Sequence, residues 1–193
     1  MKQVHLFLPT ARGVFYRSTV PLFFRKVGKG TLIWGGLRLS RPMLNIGIGE
    51  DCMLGHSLFF QTALAAEITI GDRTSINTGC HLVASELIRI GSNVAIGEYV
   101  SIRDQEHRFK PASGVRGQDY KVAPVIIEEN VWIGRGAYIG PGTTIRAGTI
   151  VAANSVVRGD FPPNVLLAGA PAKIRRIILQ TGEMVLPPDD LPQ

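Results

Sequence analysis

Residues 127–156 read IEENVW, IGRGAY, IGPGTT, IRAGTI and VAANSV. Each unit opens on a branched aliphatic residue and carries a small or apolar residue at its fifth position. Moving towards the N-terminus, the same pattern appears at IGEDCM (48–53), LGHSLF (54–59), IGDRTS (70–75), INTGCH (76–81), IGSNVA (90–95) and IGEYVS (96–101), and there the second position is usually glycine. That makes eleven units with one period.

A period of six puts the first residue of one unit and the fifth of the unit before it two apart, on the same face of a short strand, while the residues between them turn. Three such sides close a triangular coil of 18 residues. Ile145 follows Ile127 by 18, and Ile90 follows Ile70 by 20, a coil with a two-residue insertion. Stacked coils bury the first positions as ladders, Ile70/Ile90/Ile127/Ile145 and Ile76/Ile96/Ile133/Val151. The pattern predicts an all-β solenoid of about five full coils, about 24 Å tall at strand spacing, with an irregular coil over residues 30–46. Glycine (22) and proline (12) are spread along the chain and not gathered in one linker, which fits regularly spaced turns.

The period divides the 193 residues into an N-terminal capping segment (1–29), the β-helix (30–162) and a C-terminal cap and tail (163–193). An external loop (103–124), EHRFKPASGVRGQDYKVAP at its heart, interrupts the helix, and a long excursion from so regular a scaffold is usually functional. The caps are expected to be short helices or irregular chain, with PPNVLLAGAPAKIRR (162–176) ending in a turn and then a basic strand or helix.

The formal charge is +6, with basic residues at both ends of the chain. That favours an anionic partner, but no recognition helix or aromatic-interleaved surface points to nucleic acid. The aromatic and basic leader, RGVFYRSTVPLFFRKVG (12–28), suits a solenoid cap or, alternatively, peripheral contact with an anionic membrane. Cys52 and Cys80, each at a fifth position, read as small core residues, and their spacing offers no zinc motif. No cleavable leader or membrane span is legible, so the expected location is cytoplasmic, with the inner face of the membrane as a second setting. His56 and His81 read as surface residues, and Trp132 as an outward ring at a subunit contact or groove.

His107 stands five positions after Ile102, where the loop departs, and the count turns it outward on the flat side of the prism. An imidazole there suits proton abstraction from a hydroxyl; a solvated loop histidine is the plain alternative. Asp104 and Glu106 precede it in DQEH, either orienting the ring or lying exposed at a turn. Asn77, one residue past Ile76, occupies a corner, as a turn residue or as a polar contact for a bound group.

The repeat and the DQEH stretch resemble the hexapeptide-repeat acyltransferases, most nearly the bacterial polysaccharide and lipopolysaccharide O-acetyltransferases and the galactoside/maltose acetyltransferase branch. The resemblance implies a left-handed parallel β-helix, although ordinary parallel crossovers are right-handed. It also implies acetyl-CoA as acyl donor with no metal, His107 as general base, Asp104 as its partner and Asn77 as a positioning residue. Coenzyme contacts would fall on Arg135, Ala153, Arg158, Lys173 and Arg176, the basic ones meeting phosphates. Arg135 departs from the small or hydroxylic residue usual at its position, which leaves its backbone N–H as an oxyanion donor. A homotrimer would carry its sites between subunits, since the Asn77 corner is expected opposite the face bearing His107. The implied reaction is O-acetylation of a sugar hydroxyl in a surface glycan; N-acetylation of an amino sugar nucleotide and a non-catalytic scaffold are the alternatives.

Overall fold

The structure is a computed structural model that describes residues 24–39, 43–112 and 116–188. Its chain winds through short strands in groups of three. The first coil is β1 (Phe24–Val27), β2 (Leu32–Ile33) and β3 (Leu37–Leu39), and the second is β4 (Met43–Ile48), β5 (Met53–Leu54) and β6 (Leu58–Thr62). The third holds β7 (Glu67–Ile70), β8 (Ser75–Ile76) and β9 (His81–Ala84), and the fourth β10 (Leu87–Ile90), β11 (Ala95–Ile96) and β12 (Ser101–Arg103). The external loop contributes β13 (Gln105–His107) and β14 (Tyr120–Val122).

The fifth coil is β15 (Val125–Ile127), β16 (Trp132–Ile133) and β17 (Tyr138–Ile139), followed by β18 (Thr144–Ile145), β19 (Ile150–Val151) and β20 (Val156–Val157). The chain closes on β21 (Asp160–Phe161), β22 (Val165–Gly169), β23 (Ala172–Ile178) and β24 (Met184–Val185). Three parallel sheets form the faces of a prism: β1-β4-β7-β10-β15-β18-β21, then β2-β5-β8-β11-β16-β19-β22, then β3-β6-β9-β12-β17-β20. This is the left-handed parallel β-helix that the family resemblance implies.

The pairing register reproduces both expected ladders, Ile70 to Ile90 to Ile127 to Ile145 and Ile76 to Ile96 to Ile133 to Val151. These side chains are buried, each contributing about 1.5–3 kcal/mol. Fifth positions point inward with them, including polar ones, and several of the buried hydroxyls and thiols donate to a backbone carbonyl. Thr74 Oγ1 donates to Gly91 O at 2.9 Å, Thr143 Oγ1 to Gly140 O at 2.7 Å and Cys80 Sγ to Gly97 O at 3.0 Å. Burial pushes the Cys80 thiol up to about 11, which leaves it a packing residue.

The fourth position makes the turn, with φ near +57° at Asn93, Asn130, Asn154 and Asn164. This left-handed conformation suits Asn and Gly and explains why they recur there.

Three features differ from the sequence reading. The coil expected to be irregular over 30–46 belongs to the stack, β1, β2 and β3 pairing in parallel with β4, β5 and β6, and it is irregular where β1 meets β4, the register shifting between Phe24 and Lys26. Residues 24–29 therefore belong to the helix, while residues 1–23 of the expected capping segment lie outside the described residues. At the other end the parallel ladder runs on through β22, since Val165 and Leu167 still fill inward positions. The C-terminal cap is then a ribbon of antiparallel strands, β22-β23-β24, with no helix among the described residues.

Candidate active site

The external loop leaves at the corner between the third face and the first. Its root is Asp104, fully buried, whose carboxylate accepts the backbone N–H groups of Ser85 (2.7 Å), Glu86 (2.7 Å) and Leu87 (2.8 Å) in the coil below. The backbone closes over it, with Ala123 N donating to Asp104 O at 2.9 Å. A carboxylate held by three amides is among the stronger anchors a corner can have. The expectation that Asp104 orients the His107 ring therefore gives way: among the described residues the side-chain hydrogen bonds of Asp104 go to these three amides and none to the imidazole.

Beyond Asp104 the chain forms an antiparallel ribbon, with Gln105 opposite Val122, Glu106 opposite Lys121 and His107 opposite Tyr120. His107 is exposed and stands on this ribbon, not on the flat side of the prism. Its ring lies against Tyr120, with centroids 4.4 Å apart and planes at 42°. Strand alternation puts Gln105 and His107 on one side and Glu106 on the other. Ser85 Oγ donates to Gln105 Oε1, so that side faces the third coil.

The opposite side faces the sixth coil. There Arg158 donates two hydrogen bonds to the Glu106 carboxylate, at 2.7 and 2.6 Å, and its guanidinium sits 5.5 Å from the centre of the Tyr138 ring. The hydrogen bond from Arg158 is the first cause holding the Glu106 carboxyl below its ordinary value; a small desolvation cost opposes it, and the charges of Arg158 and Lys121 assist. A carboxyl depressed in the folded state stabilises above its unfolded pKa and loses that contribution as pH falls through the folded value. The expected result is that the ribbon stays closed at neutral pH and opens on acidification below the usual carboxylate range. Amide exchange at Arg108 and Lys121, followed against pH, checks this.

The remaining candidates gather elsewhere. Asn77 lies at the corner between the second and third faces, exposed, with no side-chain hydrogen bond among the described residues. Arg135 and Ala153 occupy the same edge two and three coils higher. Lys173 on β23 pairs with Ala168 at its top, and Arg176 pairs with Leu166 nearby; both basic side chains are exposed. The structure thus brings His107, Asp104 and Arg158 to one edge of the third face and Asn77, Arg135, Ala153 and Lys173 to the other. The Asn77 corner and the His107 loop flank one face instead of lying opposite each other.

Sequence reasoning missed the aromatic residues in these places. Tyr99 has φ 59°, and its ring covers Gly79, where an added Cβ would come within 2.5 Å of it; the Arg135 guanidinium lies 5.6 Å from the ring centre on the same corner. The fourth-position rule was the available signal, since a tyrosine standing where Asn or Gly is usual marks a departure. Trp132 is outward as expected, 56% exposed, in register with exposed Ala95, and further down the same column lie Met53 and Leu32. Among the described residues no group of three or more His, Cys, Asp or Glu is placed to hold a metal ion, and no helix is long and apolar enough to cross a membrane.

Residues 124–159 match the sequence profile of a family described as bacterial transferase hexapeptide (six repeats). The galactoside O-acetyltransferase of Lactococcus lactis is 33% identical over 131 residues, covering 68% of this chain and 62% of that enzyme. This chain therefore spans rather less than two thirds of that relative's length. WbbJ of Escherichia coli, named as a putative lipopolysaccharide biosynthesis O-acetyl transferase, is 33% identical over 138 residues, covering 67% of this chain and 70% of its own. A galactoside acetyltransferase solved in complex with coenzyme A superposes with a TM-score of 0.62 at 26% identity, over 91% of this chain and 76% of that one.

Proposed function

This chain belongs to the hexapeptide-repeat acyltransferase family, and we propose that within it the protein is an acetyl-CoA-dependent O-acetyltransferase acting on a sugar hydroxyl of a surface glycan. One observation carries the reading: the exposed imidazole of His107 is presented on a ribbon whose root, Asp104, is pinned by three amides. His107 takes the proton of the acceptor hydroxyl as its oxygen attacks the thioester carbonyl. The carbon–sulfur bond then breaks, and coenzyme A leaves as a thiolate that receives the proton from the imidazolium. The transfer is direct, with no acyl-enzyme.

The donor lies along the edge that carries Arg135, Ala153 and Lys173, with Arg176 nearby on β23. Lys173 and Arg176 meet the phosphates of coenzyme A through charge-assisted bonds. The backbone N–H of Arg135, which gives no hydrogen bond among the described residues, faces the developing oxyanion. Because this edge and the His107 ribbon stand at opposite margins of one face, a single chain does not unite them. A homotrimer does, by setting the Asn77 edge of one subunit against the ribbon of the next. The column of Leu32, Met53 and Trp132 on the second face supplies apolar surface for that contact. An acetyl-CoA donor favours a reaction in the cytoplasm, with the inner face of the membrane as a second setting.

Calorimetric titration with coenzyme A tests the donor edge. The double variant Lys173→Ala/Arg176→Ala is expected to bind about tenfold more weakly, a loss that shrinks at high salt; unchanged affinity contradicts the placement. Thiol release from acetyl-CoA with a panel of sugar hydroxyl and amine acceptors tests the chemistry. Turnover confined to amines would replace O-acetylation by N-acetylation.

A further inference from the structure

We propose that Glu106 and Arg158 are positioning residues that set the bearing of His107, and that Arg158 serves this role instead of holding coenzyme A. The inference rests on the reading of His107 as the base. The three residues before His107 each have a mounting of their own. Asp104 fixes the root, Gln105 is tied to Ser85 on one side of the ribbon, and Glu106 is tied to Arg158 on the other. Two strands joined at one end can still roll about their long axis. Attachments on opposite sides remove that freedom, and with it the freedom of the imidazole one residue further on.

An exposed ion pair ordinarily stabilises little. This one is bidentate, so it fixes direction as well as distance, and the arginine is seated before it reaches the ribbon. The Arg158 stem lies across Gly140, where an added Cβ would come within 3.1 Å of its Cγ, and its guanidinium lies over Tyr138. A side chain at 140 would require the Tyr138 ring and the Arg158 stem, 3.0 and 3.1 Å from that Cβ, to give by a few tenths of an ångström. The pair joins positions 52 residues apart and bridges the fourth coil to the sixth, so the clamp depends on the stack beneath it. An error of about 1 Å in the place of a catalytic group costs as much as a hundredfold in rate, so a weak contact can have a large kinetic effect.

The test compares Glu106→Gln, Arg158→Ala and the exchanged pair Glu106→Arg/Arg158→Glu in the full-length protein. Two readouts are needed: steady-state kinetics with acetyl-CoA, and the rate of tryptic cleavage after Arg108 and Arg116 in the loop, followed by mass spectrometry so that cleavage at position 106 in the exchanged pair is counted apart. A clamp predicts that both single variants lose about tenfold in kcat with KM for acetyl-CoA within about twofold, that loop cleavage quickens, and that the exchanged pair recovers part of both. A coenzyme ligand predicts the reverse: Arg158→Ala raises KM, and Glu106→Gln, by releasing the arginine, lowers it. That outcome, or cleavage and kcat unchanged in Glu106→Gln, overturns the proposal. Because cleavage is read without substrate, an inactive wild-type protein refutes the assigned reaction while the clamp is still decided by proteolysis.

Discussion

Replacing His107 with alanine is expected to lower acetyl transfer by about a thousandfold, within the range that loss of a general base produces, while the fold stays intact. The imidazole is exposed and its one ring contact is with Tyr120, itself exposed on the same ribbon. Nothing in the buried column is disturbed, so the denaturation midpoint should match that of the parent protein. His107→Asn should be as inactive, because it keeps a polar contact but no group able to take the proton. Turnover retained at a few per cent or more in either variant, with normal circular dichroism, would remove His107 from the role of base.

The largest structural effect is expected at Asp104. Alanine there strips the buried carboxylate acceptor from three part-buried backbone N–H groups at once, and removing one side of such a network costs about 3–5 kcal/mol. Urea denaturation should show this as a midpoint far below that of the parent. Asparagine retains one carbonyl oxygen but turns an NH2 toward a backbone N–H, so it should lose less than alanine and still fall short of the parent. A loss below about 1 kcal/mol for alanine would mean that the amides of Ser85, Glu86 and Leu87 find other acceptors. The two replacements separate the roles within DQEH: at 107 activity falls and stability holds, while at 104 stability falls and activity follows it.

Much of this architecture was legible from the period alone. A triangular coil returns to the same face every 18 residues, so the inward residues announce themselves and the ladders through Ile70 and Ile76 follow by counting. The first coils were harder to read because their inward positions are less uniform. There Phe24 meets Phe60 edge to face, with centroids 6.1 Å apart, in place of two stacked aliphatics. The loop was visible as an interruption, and with it His107.

The residues that mount His107 were not legible, for a geometric reason. The amides that hold Asp104 lie 17–19 residues before it, in the turn from the third coil to the fourth, and Arg158 lies 52 residues beyond Glu106, two coils above. A repeat predicts which residues point inward and stack. It does not predict which outward side chains at a corner reach across coils, since that depends on side-chain length and on small neighbours such as Gly140. The same blindness set Asp104 beside His107 on paper, although burial turned its carboxylate towards the backbone.

The central claim is that acetyl passes from coenzyme A directly to a hydroxyl at a site that needs His107. Incubation with acetyl-CoA carrying a carbon-13 carbonyl, followed by carbon NMR of the glycan acceptor and of the protein, tests it most directly. Direct transfer with His107 as base gives an ester carbonyl signal on the acceptor, none on the protein, and no signal on either with His107→Ala. An amide carbonyl on the acceptor, a labelled protein, or undiminished ester formation by the variant would contradict it.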